Sequence, residues 1–231
     1  MAAQFTADDL QQRVLLRDAQ LLILNKPAGL AVHKGPQTDF SLERFLPALR
    51  FGLRENPELA HRLDRDTSGC LVLGRSHKAL RKLGRLFSSS AVGKTYWAVV
   101  EGGPQGDNGT IDQPLLKVTG RSGWRILPDP TGKPAITDWR VLGRGRLDGQ
   151  PIAWLELKPR TGRTHQIRVH CAEAGFPVLG DPIYGPAARP ARPLHLHARS
   201  IVLPYYDGKP PVEALAPPPP HMEQALQQCA D

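Results

Sequence analysis

Residues 61–69 read HRLDRDTSG, and the interpretation of the whole chain depends on this stretch. Two aspartates, Asp64 and Asp66, stand two residues apart beside Arg62 and Arg65, and Thr-Ser-Gly follows. Nearby cations favour the ionised form of a carboxyl group, and an ionised carboxylate acts as a nucleophile or stabilises a cationic transition state. An aspartate before Thr-Ser-Gly also caps a turn. Both roles stay open for Asp64, whereas turn capping is favoured for Asp66.

The segments around this stretch are short, because 23 prolines and 22 glycines divide the chain. KTYWAVVEG (94–102) and PIAWLELKP (151–159) are rich in β-branched and aromatic residues, which is typical of strands. Apolar or alternating runs predict seven strands, near 12–17, 21–25, 69–74, 94–101, 134–142, 151–158 and 194–203.

Helical patterns are fewer than strand patterns. SHKALRKLGRLFSSS (76–90) has apolar residues at helical spacing, and THQIRVHCAEAG (164–175) has Thr164 as a candidate N-cap and Gly175 as an end signal. A last helix is predicted near 221–229, after a stiff run of four prolines. The pattern as a whole predicts an α+β fold, with a mainly antiparallel mixed sheet and flanking helices and loops.

The charge balance is the unusual bulk property of this 231-residue chain, with a formal net charge of +8. A concentrated positive field on a protein favours a polyanionic partner, most often nucleic acid, although a basic proteome is an alternative explanation. Much of the excess lies between residues 61 and 100, where two aspartates stand against eight cations: Arg62, Arg65, Arg75, Lys78, Arg81, Lys82, Arg85 and Lys94.

Cysteine usage and hydropathy bear on the compartment. Three widely spaced cysteines without a CxxC pair favour neither a disulfide framework nor a zinc knuckle, as in a reducing compartment. The start, MAAQFTADDL, lacks the pattern of an export signal. The longest apolar runs are too short for a membrane span. We therefore expect a cytoplasmic protein with no membrane partner.

No cofactor or metal site is predicted. The chain has neither G-x-x-x-x-G-K-[ST] nor a strand-bound G-x-G-x-x-G, the motifs that hold nucleotide phosphates. The histidine pairs His165/His170 and His195/His197 do not have zinc-specific spacing, and we expect them to be hydrogen-bonded structural residues. Tyr96 is the remaining candidate for a functional residue. A buried aromatic is the ordinary expectation in a strand, but alternation places Tyr96 opposite Trp97; if Trp97 faces the core, Tyr96 faces a cleft where it could stack on a base.

Five segments in order resemble the motifs of the RluA family of RNA pseudouridine synthases. HRLDRDTSG matches the H-R-L-D-x-x-T-S-G signature of that family, and NKPAGLAVH (25–33) matches its N-terminal motif. KTYWAVVEG (94–102) is similar to its K-x-Y-x-A-x-V-x-G strand, and residues 160–185 resemble its second long motif. LHLHA (194–198) resembles its last strand. The resemblance spans roughly residues 13–215 and predicts a single catalytic domain over 1–231.

The resemblance implies roles for individual residues. Asp64 is the catalytic carboxylate, Arg168 pairs with it, and Tyr96 stacks on the target uracil and takes part in the late proton transfer. Arg62 takes the place of the flipped nucleotide, and Asp66 falls at a variable position. Together with the charge pattern, this predicts an RNA-binding set: Arg62, Arg65, Lys78, Arg81, Lys82, Arg85, Lys94, Arg163 and His165.

The resemblance also implies the fold and the reaction. The expected fold is the pseudouridine synthase catalytic fold, with the active-site cleft across the middle of the sheet. The reaction isomerises uridine without cofactor or metal, by nucleophilic attack or through a glycal. The substrate is transfer RNA, large-subunit ribosomal RNA or both, the protein is a monomer, and no S4 domain is expected. Two alternatives remain: a non-catalytic RNA-binding factor, and an RNA N-glycosidase that would release uracil.

One stretch departs from the family pattern. The family often has His-Pro shortly after the position of Leu203, where this chain reads Leu203-Pro204-Tyr205-Tyr206. The departure leaves the chemistry unchanged but makes the local contacts near Leu203 a question for the structure.

Overall fold

The computed structural model describes residues 5–35, 40–120, 123–186 and 192–230. Packing divides the chain into two compact units: unit 1 is Met1–Lys94 with Ala198–Pro219, and unit 2 is Thr95–His197 with Pro220–Asp231. The strands are β1 (Val14–Arg17), β2 (Leu21–Lys26), β3 (Glu58–Leu59), β4 (Ser68–Gly74), β5 (Gly93–Glu101), β6 (Asn108–Asp112), β7 (Leu115–Gly120), β8 (Gly123–Pro128), β9 (Ile136–Leu147), β10 (Gln150–Pro159), β11 (Leu196–Leu203) and β12 (Val212–Leu215). The helices are α1 (Ala7–Gln12), α2 (His77–Ser88), α3 (Gln166–Glu173) and α4 (Pro220–Ala230), and a 3-10 helix spans Leu42–Leu49.

Unit 1 is built on a sheet with the order β1-β2-β4-β11, and β3 and β12 pair with β4 and β11. The pairs β1–β2, β2–β4, β3–β4 and β11–β12 are antiparallel. Strand β4 is buried along its whole length, as its apolar sequence predicts. Helix α2 buries Ala79 and Leu83 against the sheet. The helix begins after Ser76, whose hydroxyl accepts a hydrogen bond from the Ala79 backbone N–H at 3.2 Å.

Unit 2 has the antiparallel order β5-β10-β9-β6 and a separate hairpin of β7 and β8. Side chains along β5 and β10 alternate between two buried clusters. Ala98, Val100 and Leu155 pack with α3 on one face, and Val99 and Ile152 pack with α4 on the other. The two helices therefore cover opposite faces of the same pair of strands.

Two glycines allow α4 to lie directly on strand β9. A Cβ atom at Gly143 or Gly145 would overlap the backbone carbonyl oxygen of Cys229 or Gln228. The absence of a side chain at both positions lets the helix backbone reach the strand backbone. The last helix is thus packed into unit 2.

The seven predicted strands and the three predicted helices are confirmed, with shifted ends. The predicted cap of α3 is wrong: the helix begins at Gln166, and its N-cap is His165 with φ 53°, not Thr164. Gly175 follows the helix end with φ 86°, as predicted. Five short strands (β3, β6, β7, β8 and β12), helix α1 and the 3-10 helix were not predicted. Strands β6 to β8 are short and mostly exposed, so their apolar pattern is weak. In the described residues, no helix combines the length and apolar character that a membrane span requires.

Candidate active site

The Asp64 segment forms a tight turn in unit 1. The Thr67 backbone N–H donates to the Asp64 carbonyl oxygen at 3.2 Å, which closes a four-residue turn. Thr67 is buried and Asp64 is half-buried, whereas the side chains of Arg62 and Arg65 are exposed. The turn therefore presents two guanidinium groups to solvent beside a partly sheltered carboxylate.

The backbone conformation and close packing at position 69 require glycine. Gly69 has φ +106°, and a Cβ atom there would overlap the backbone of Ala198 on strand β11. A larger residue would be strained and would push the strands apart. The end of the turn is thereby fixed against the sheet of unit 1.

The buried side chain of Lys26 forms a hydrogen bond with the backbone of the turn. Lys26, at the end of β2, is fully buried, and its Nζ donates hydrogen bonds of 2.9 Å to the carbonyl oxygens of Pro27, Leu30 and Arg65. Three acceptors use all three N–H donors of an ammonium group. The Gly29 backbone N–H donates to the same Arg65 oxygen at 2.9 Å. Lys26 therefore ties the Asn-Lys-Pro segment to the turn that carries Asp64.

Burial lowers the pKa of Lys26 from 10.5 to about 7, although the charges of Asp66 and Asp64 act to raise it. Below pH 7 both the folded and the unfolded chain hold the proton, and the folded state carries the full cost of a buried charge. Between pH 7 and about 10 only the unfolded state holds it, so the free energy of unfolding rises with pH by at most about 1.4 kcal/mol per unit.

We expect this rise to disappear in Lys26→Met. Urea unfolding of both proteins from pH 6 to pH 10 measures it, because other titrating groups cancel in the difference between the two curves. Parallel curves across that range would mean that Lys26 does not titrate there.

Asp66, in the same turn as Asp64, forms an ion pair with Arg65. The Arg65 Nε donates to Asp66 Oδ1 at 3.0 Å, and its Nη2 donates to Oδ2 at 3.3 Å. The pair lies at the surface, with 60% and 31% of the two side chains exposed. An exposed pair of this kind breaks at little cost, so Arg65 can exchange Asp66 for another anion.

Helix α2 carries the predicted basic face of unit 1. Lys78, Arg81 and Arg85 are exposed. The ammonium group of Lys82 contacts Asp207 Oδ1 at 3.2 Å and lies 5.2 Å from the centre of the Tyr205 ring. Burial lowers the pKa of Lys94, which lies at the end of the unit 1 segment. The helix therefore presents three cations to solvent and one that is tied to the 205–207 loop.

The Leu203–Tyr206 segment, which departs from the family pattern, forms stabilising contacts within unit 1. Leu203 and Tyr205 are buried, and the Tyr206 hydroxyl donates to Asp18 Oδ2 at 2.8 Å. Burial and the charge of Asp18 raise the pKa of Tyr206 to about 12. The second tyrosine thus anchors the β1–β2 turn, and the first fills the core.

Tyr96 lies on β5 in unit 2 and is half-buried. It packs against the cluster formed with α3, whereas Trp97 packs against the cluster formed with α4. The prediction that the two rings lie on opposite faces of the strand is therefore confirmed.

Arg168 forms a bidentate ion pair with Asp181 in the interior of unit 2. Its Nε and Nη2 donate to the two carboxylate oxygens at 2.7 Å each, and the side chains are 4% and 0% exposed. Asp181 also accepts from the backbone N–H groups of Ile183 and Tyr184, at 2.9 and 3.1 Å. Burial raises the pKa of Asp181, but these hydrogen bonds and the Arg168 charge outweigh it and lower the pKa below its usual value.

The loop before α3 is fixed by Gln166. Its side-chain oxygen accepts from the Thr161 hydroxyl at 2.7 Å and from the Arg163 backbone N–H at 3.0 Å. Its nitrogen donates to the Ile136 carbonyl and to the Thr137 hydroxyl, at 3.0 and 2.9 Å. This amide, rather than Thr164, orders the start of the helix that carries Arg168. Arg163 is exposed and donates through Nε to the Pro134 carbonyl at 2.9 Å.

His170 and His195 form hydrogen bonds within the fold. His170 contacts the Thr137 hydroxyl at 3.0 Å and the Gln113 carbonyl at 3.1 Å, and His195 contacts the Pro193 carbonyl at 2.8 Å. Across the part of the chain that the structure describes, no three His, Cys, Asp or Glu side chains are grouped as metal ligands would be.

The predicted site residues divide between the two units. Unit 1 brings together Arg62, Asp64 and Arg65 in one short segment, and unit 2 holds Tyr96 and Arg168. The pairing of Asp64 with Arg168 stays a prediction. The sequence prediction missed the roles of Lys26 and Asp181. The sequence shows only their positions, a lysine that ends an apolar strand and an aspartate in the turn GDPIYG after the α3 motif, and neither position identifies the partner.

Residues 20–173 match the family described as RNA pseudouridylate synthase. The chain belongs to this family. The resemblance to the RluA family is confirmed, and the protein is an RNA pseudouridine synthase, an isomerase.

Relatives and a solved structure agree with this assignment. The chain is 45% identical over 213 residues to an "Uncharacterized RNA pseudouridine synthase" of Zymomonas mobilis, covering 91% of this chain and 95% of the relative. It is 38% identical to the "Ribosomal large subunit pseudouridine synthase C" of Vibrio cholerae, covering 94% and 69%. The structure of "Human RNA Pseudouridylate Synthase Domain Containing 4" superposes with a TM-score of 0.79 at 28% identity, covering 96% and 94%. The predicted fold class is therefore confirmed.

Proposed function

We propose that this pseudouridine synthase isomerises specific uridines in structured RNA through the carboxylate of Asp64. The supporting observation is that the family match spans residues 20–173 and so includes Asp64, Tyr96 and Arg168. The Asp64 turn has features that suit this role. The carboxylate is half-buried, the turn is braced by a buried lysine, and two exposed arginines flank the aspartate.

The first step of the proposed reaction depends on a positioned carboxylate. The N1–C1′ bond of uridine breaks, the uracil turns, and a C5–C1′ bond forms; C5 then loses its proton and N1 holds one, so the composition is unchanged. Charge develops at the sugar when the first bond breaks, and a nearby carboxylate stabilises it as in glycoside cleavage. Asp64 offsets that charge by attack on C1′ or by assisting elimination to a glycal.

The other proposed residues act around this step. Arg62 fills the space that the flipped uridine leaves in the RNA, which lowers the unstacking cost. Tyr96 stacks on the uracil and takes part in the late proton transfer at the base. Arg168 pairs with Asp64 and orients it. Asp181 then acts as a positioning residue, because its bidentate contact fixes the guanidinium group of Arg168.

We propose the transfer RNA anticodon loop, large-subunit ribosomal RNA, or both as substrates. The name of the Vibrio cholerae relative, a ribosomal large subunit pseudouridine synthase, supports the second. A loop nucleotide is the favourable target, because it partly avoids the cost of unstacking. The cytoplasmic location, the monomeric state and the single catalytic domain stay predictions.

The proposal is tested by incubating the enzyme separately with unmodified transfer RNA and unmodified ribosomal RNA. The RNA is then digested to nucleosides, and pseudouridine is quantified by chromatography. We expect new pseudouridine in at least one pool. Unchanged pseudouridine in both pools would contradict the proposal and would favour a non-catalytic RNA-binding factor.

The exposed face of α2 gives a prediction about RNA affinity. Arg85→Glu is expected to weaken binding of the substrate RNA, because a phosphate contact is lost and a repulsive charge is added. The plot of log affinity against log salt should also become shallower. Arg146→Glu is the control, since Arg146 is exposed, has no proposed contact with RNA, and the charge change is the same. Equal affinity of wild type and Arg85→Glu at low salt would exclude α2 from the RNA path.

A further inference from the structure

The β7–β8 hairpin of unit 2 has an anchored base and an exposed aromatic end. Leu115 and Ile126 are buried with Val169 of α3 and Tyr184. On the same hairpin face, nearer to the tip, Trp124 pairs across the strands with Thr119 and is 42% exposed. Arg121 and Ser122 lie outside the described residues. The buried end of the hairpin thus holds an indole ring at the surface.

Trp124 contacts both a cation and an aromatic ring. The Lys117 ammonium group lies 4.7 Å from the centre of the Trp124 ring. The His165 ring lies 5.1 Å away at an interplanar angle of 35°. His165 itself is fixed: its backbone is in the left-handed region, and its Nδ1 contacts the Tyr184 hydroxyl at 2.9 Å.

These contacts lead to Arg168 within unit 2. The guanidinium group of Arg168 lies 5.3 Å from the centre of the Tyr184 ring, and the rings of Tyr184 and His165 are 5.6 Å apart. The Tyr184 hydroxyl also accepts a hydrogen bond from the Ile126 backbone N–H at 3.2 Å. This bond connects the hairpin to the contacts between Arg168, Tyr184 and His165. Trp124 is therefore three side-chain contacts from Arg168.

We propose that Trp124 is a stacking site for an unpaired RNA base near the target uridine, with Lys117 contacting the adjacent phosphate. This inference rests on the proposed function, because it takes the flipped uridine to bind near Arg168. An indole beside a cation matches the chemistry of single-stranded RNA, in which an aromatic base alternates with an anionic phosphate. The site adds a requirement to the substrate: a nucleotide a few positions from the target must be unpaired.

Lys117 does not prevent this stacking. Its ammonium group is on a flexible stem, and an exposed cation–π contact is weaker than the stacking of a base on an aromatic ring. The incoming base therefore takes the place of the ammonium group over the indole. The displaced ammonium group remains beside the strand, where a phosphate oxygen is a better partner than water.

The test measures the binding of a fluorescein-labelled single-stranded dodecauridylate by anisotropy. We expect Trp124→Ala to weaken binding about tenfold and Trp124→Phe to restore most of the affinity. Val118→Ala is the matched control, because Val118 is 41% exposed on the opposite face of the same hairpin. Lys117→Ala should lower the slope of log affinity against log salt by about 0.7, as expected for one lost phosphate contact on a single strand.

Three results would overturn the inference: no binding of the oligonucleotide by wild type, wild-type affinity in Trp124→Ala, or equal losses in Trp124→Ala and Val118→Ala. Thermal melting of each variant identifies any loss that comes from unfolding. Pseudouridine formation by wild type is measured in parallel on the RNA pools. The proposed function fails if wild type forms none, whereas the stacking site fails on the affinities alone.

Discussion

Replacement of Asp64 by asparagine is expected to lower the rate of pseudouridine formation at least about a thousandfold. The amide has nearly the shape of the carboxylate but carries no charge to offset the charge that develops at the sugar. The turn should stay intact, because its closing hydrogen bond uses the backbone oxygen of Asp64 rather than the side chain. The rate is measured under single-turnover conditions by nucleoside chromatography, and RNA affinity is measured separately.

Asp66→Asn is the matched control for this substitution. Asp66 is in the same turn, but its carboxylate contacts the exposed guanidinium group of Arg65. We expect nearly wild-type turnover, because an exposed pair contributes little and Arg65 stays available to RNA. Appreciable turnover by Asp64→Asn, or equal losses in both variants, would contradict the assignment of Asp64 as the catalytic carboxylate.

Removal of one partner of the Arg168–Asp181 pair should cause the largest loss of stability. Arg168→Met is expected to reduce the free energy of unfolding by about 3–5 kcal/mol, because it leaves the Asp181 carboxylate buried without its cation. Urea unfolding measures this loss. Arg160→Met is the control, since Arg160 forms a bidentate pair with Asp138 at the surface. A much smaller loss is expected there.

A double variant separates the structural role of Arg168 from its proposed role in the reaction. Arg168→Met with Asp181→Leu removes both buried charges and should recover much of the lost stability. Turnover should remain low, because Asp64 then has no arginine partner. Turnover that recovered together with stability would mean that Arg168 serves the fold alone.

The same pair makes the protein sensitive to acid. The pKa of Asp181 is lower in the folded state than in the unfolded chain, so the stabilisation is present above the unfolded value of about 4 and is lost as the pH falls below it. The double variant should therefore lose less stability than wild type between pH 5 and pH 3. Equal losses in the two proteins would show that other carboxylates dominate the acid response.

The central strands were predictable from sequence because they are buried on both faces. A short apolar run such as LLIL at 21–24 or CLVL at 70–73, with turn residues nearby, is typical of a strand buried on both faces, and both runs are buried. The β7–β8 hairpin was not predictable in this way, because only Leu115 and Ile126 of its side chains are buried, whereas Trp124 and Val118 remain exposed. Its position depends on contacts with residues far along the chain, such as Tyr184.

The candidate residues of the site came from the sequence, whereas their contacts were predicted only in part, and their catalytic and RNA-binding roles stay predictions. Asp64 and Tyr96 stood out by residue type and position, and the resemblance of five ordered motifs to the RluA family added Arg168 and implied a role for each of the three. The bracing residues were missed for a physical reason. Lys26 and Asp181 act through partners 39 and 13 residues away, and local spacing does not reveal such contacts. Thr164 was predicted as the cap of α3 from residue type alone, but the Gln166 amide orders that loop instead.

The most direct test of the proposed reaction is tritium release from RNA that contains 5-tritiated uridine. The proposal predicts that wild type releases tritium to water in step with pseudouridine formation, that no free uracil appears, and that Asp64→Asn releases none. Tritium release reports loss of the C5 proton after the C5–C1′ bond has formed. Free uracil without tritium in water would instead identify an N-glycosidase, and release by Asp64→Asn at the wild-type rate would contradict the role of Asp64.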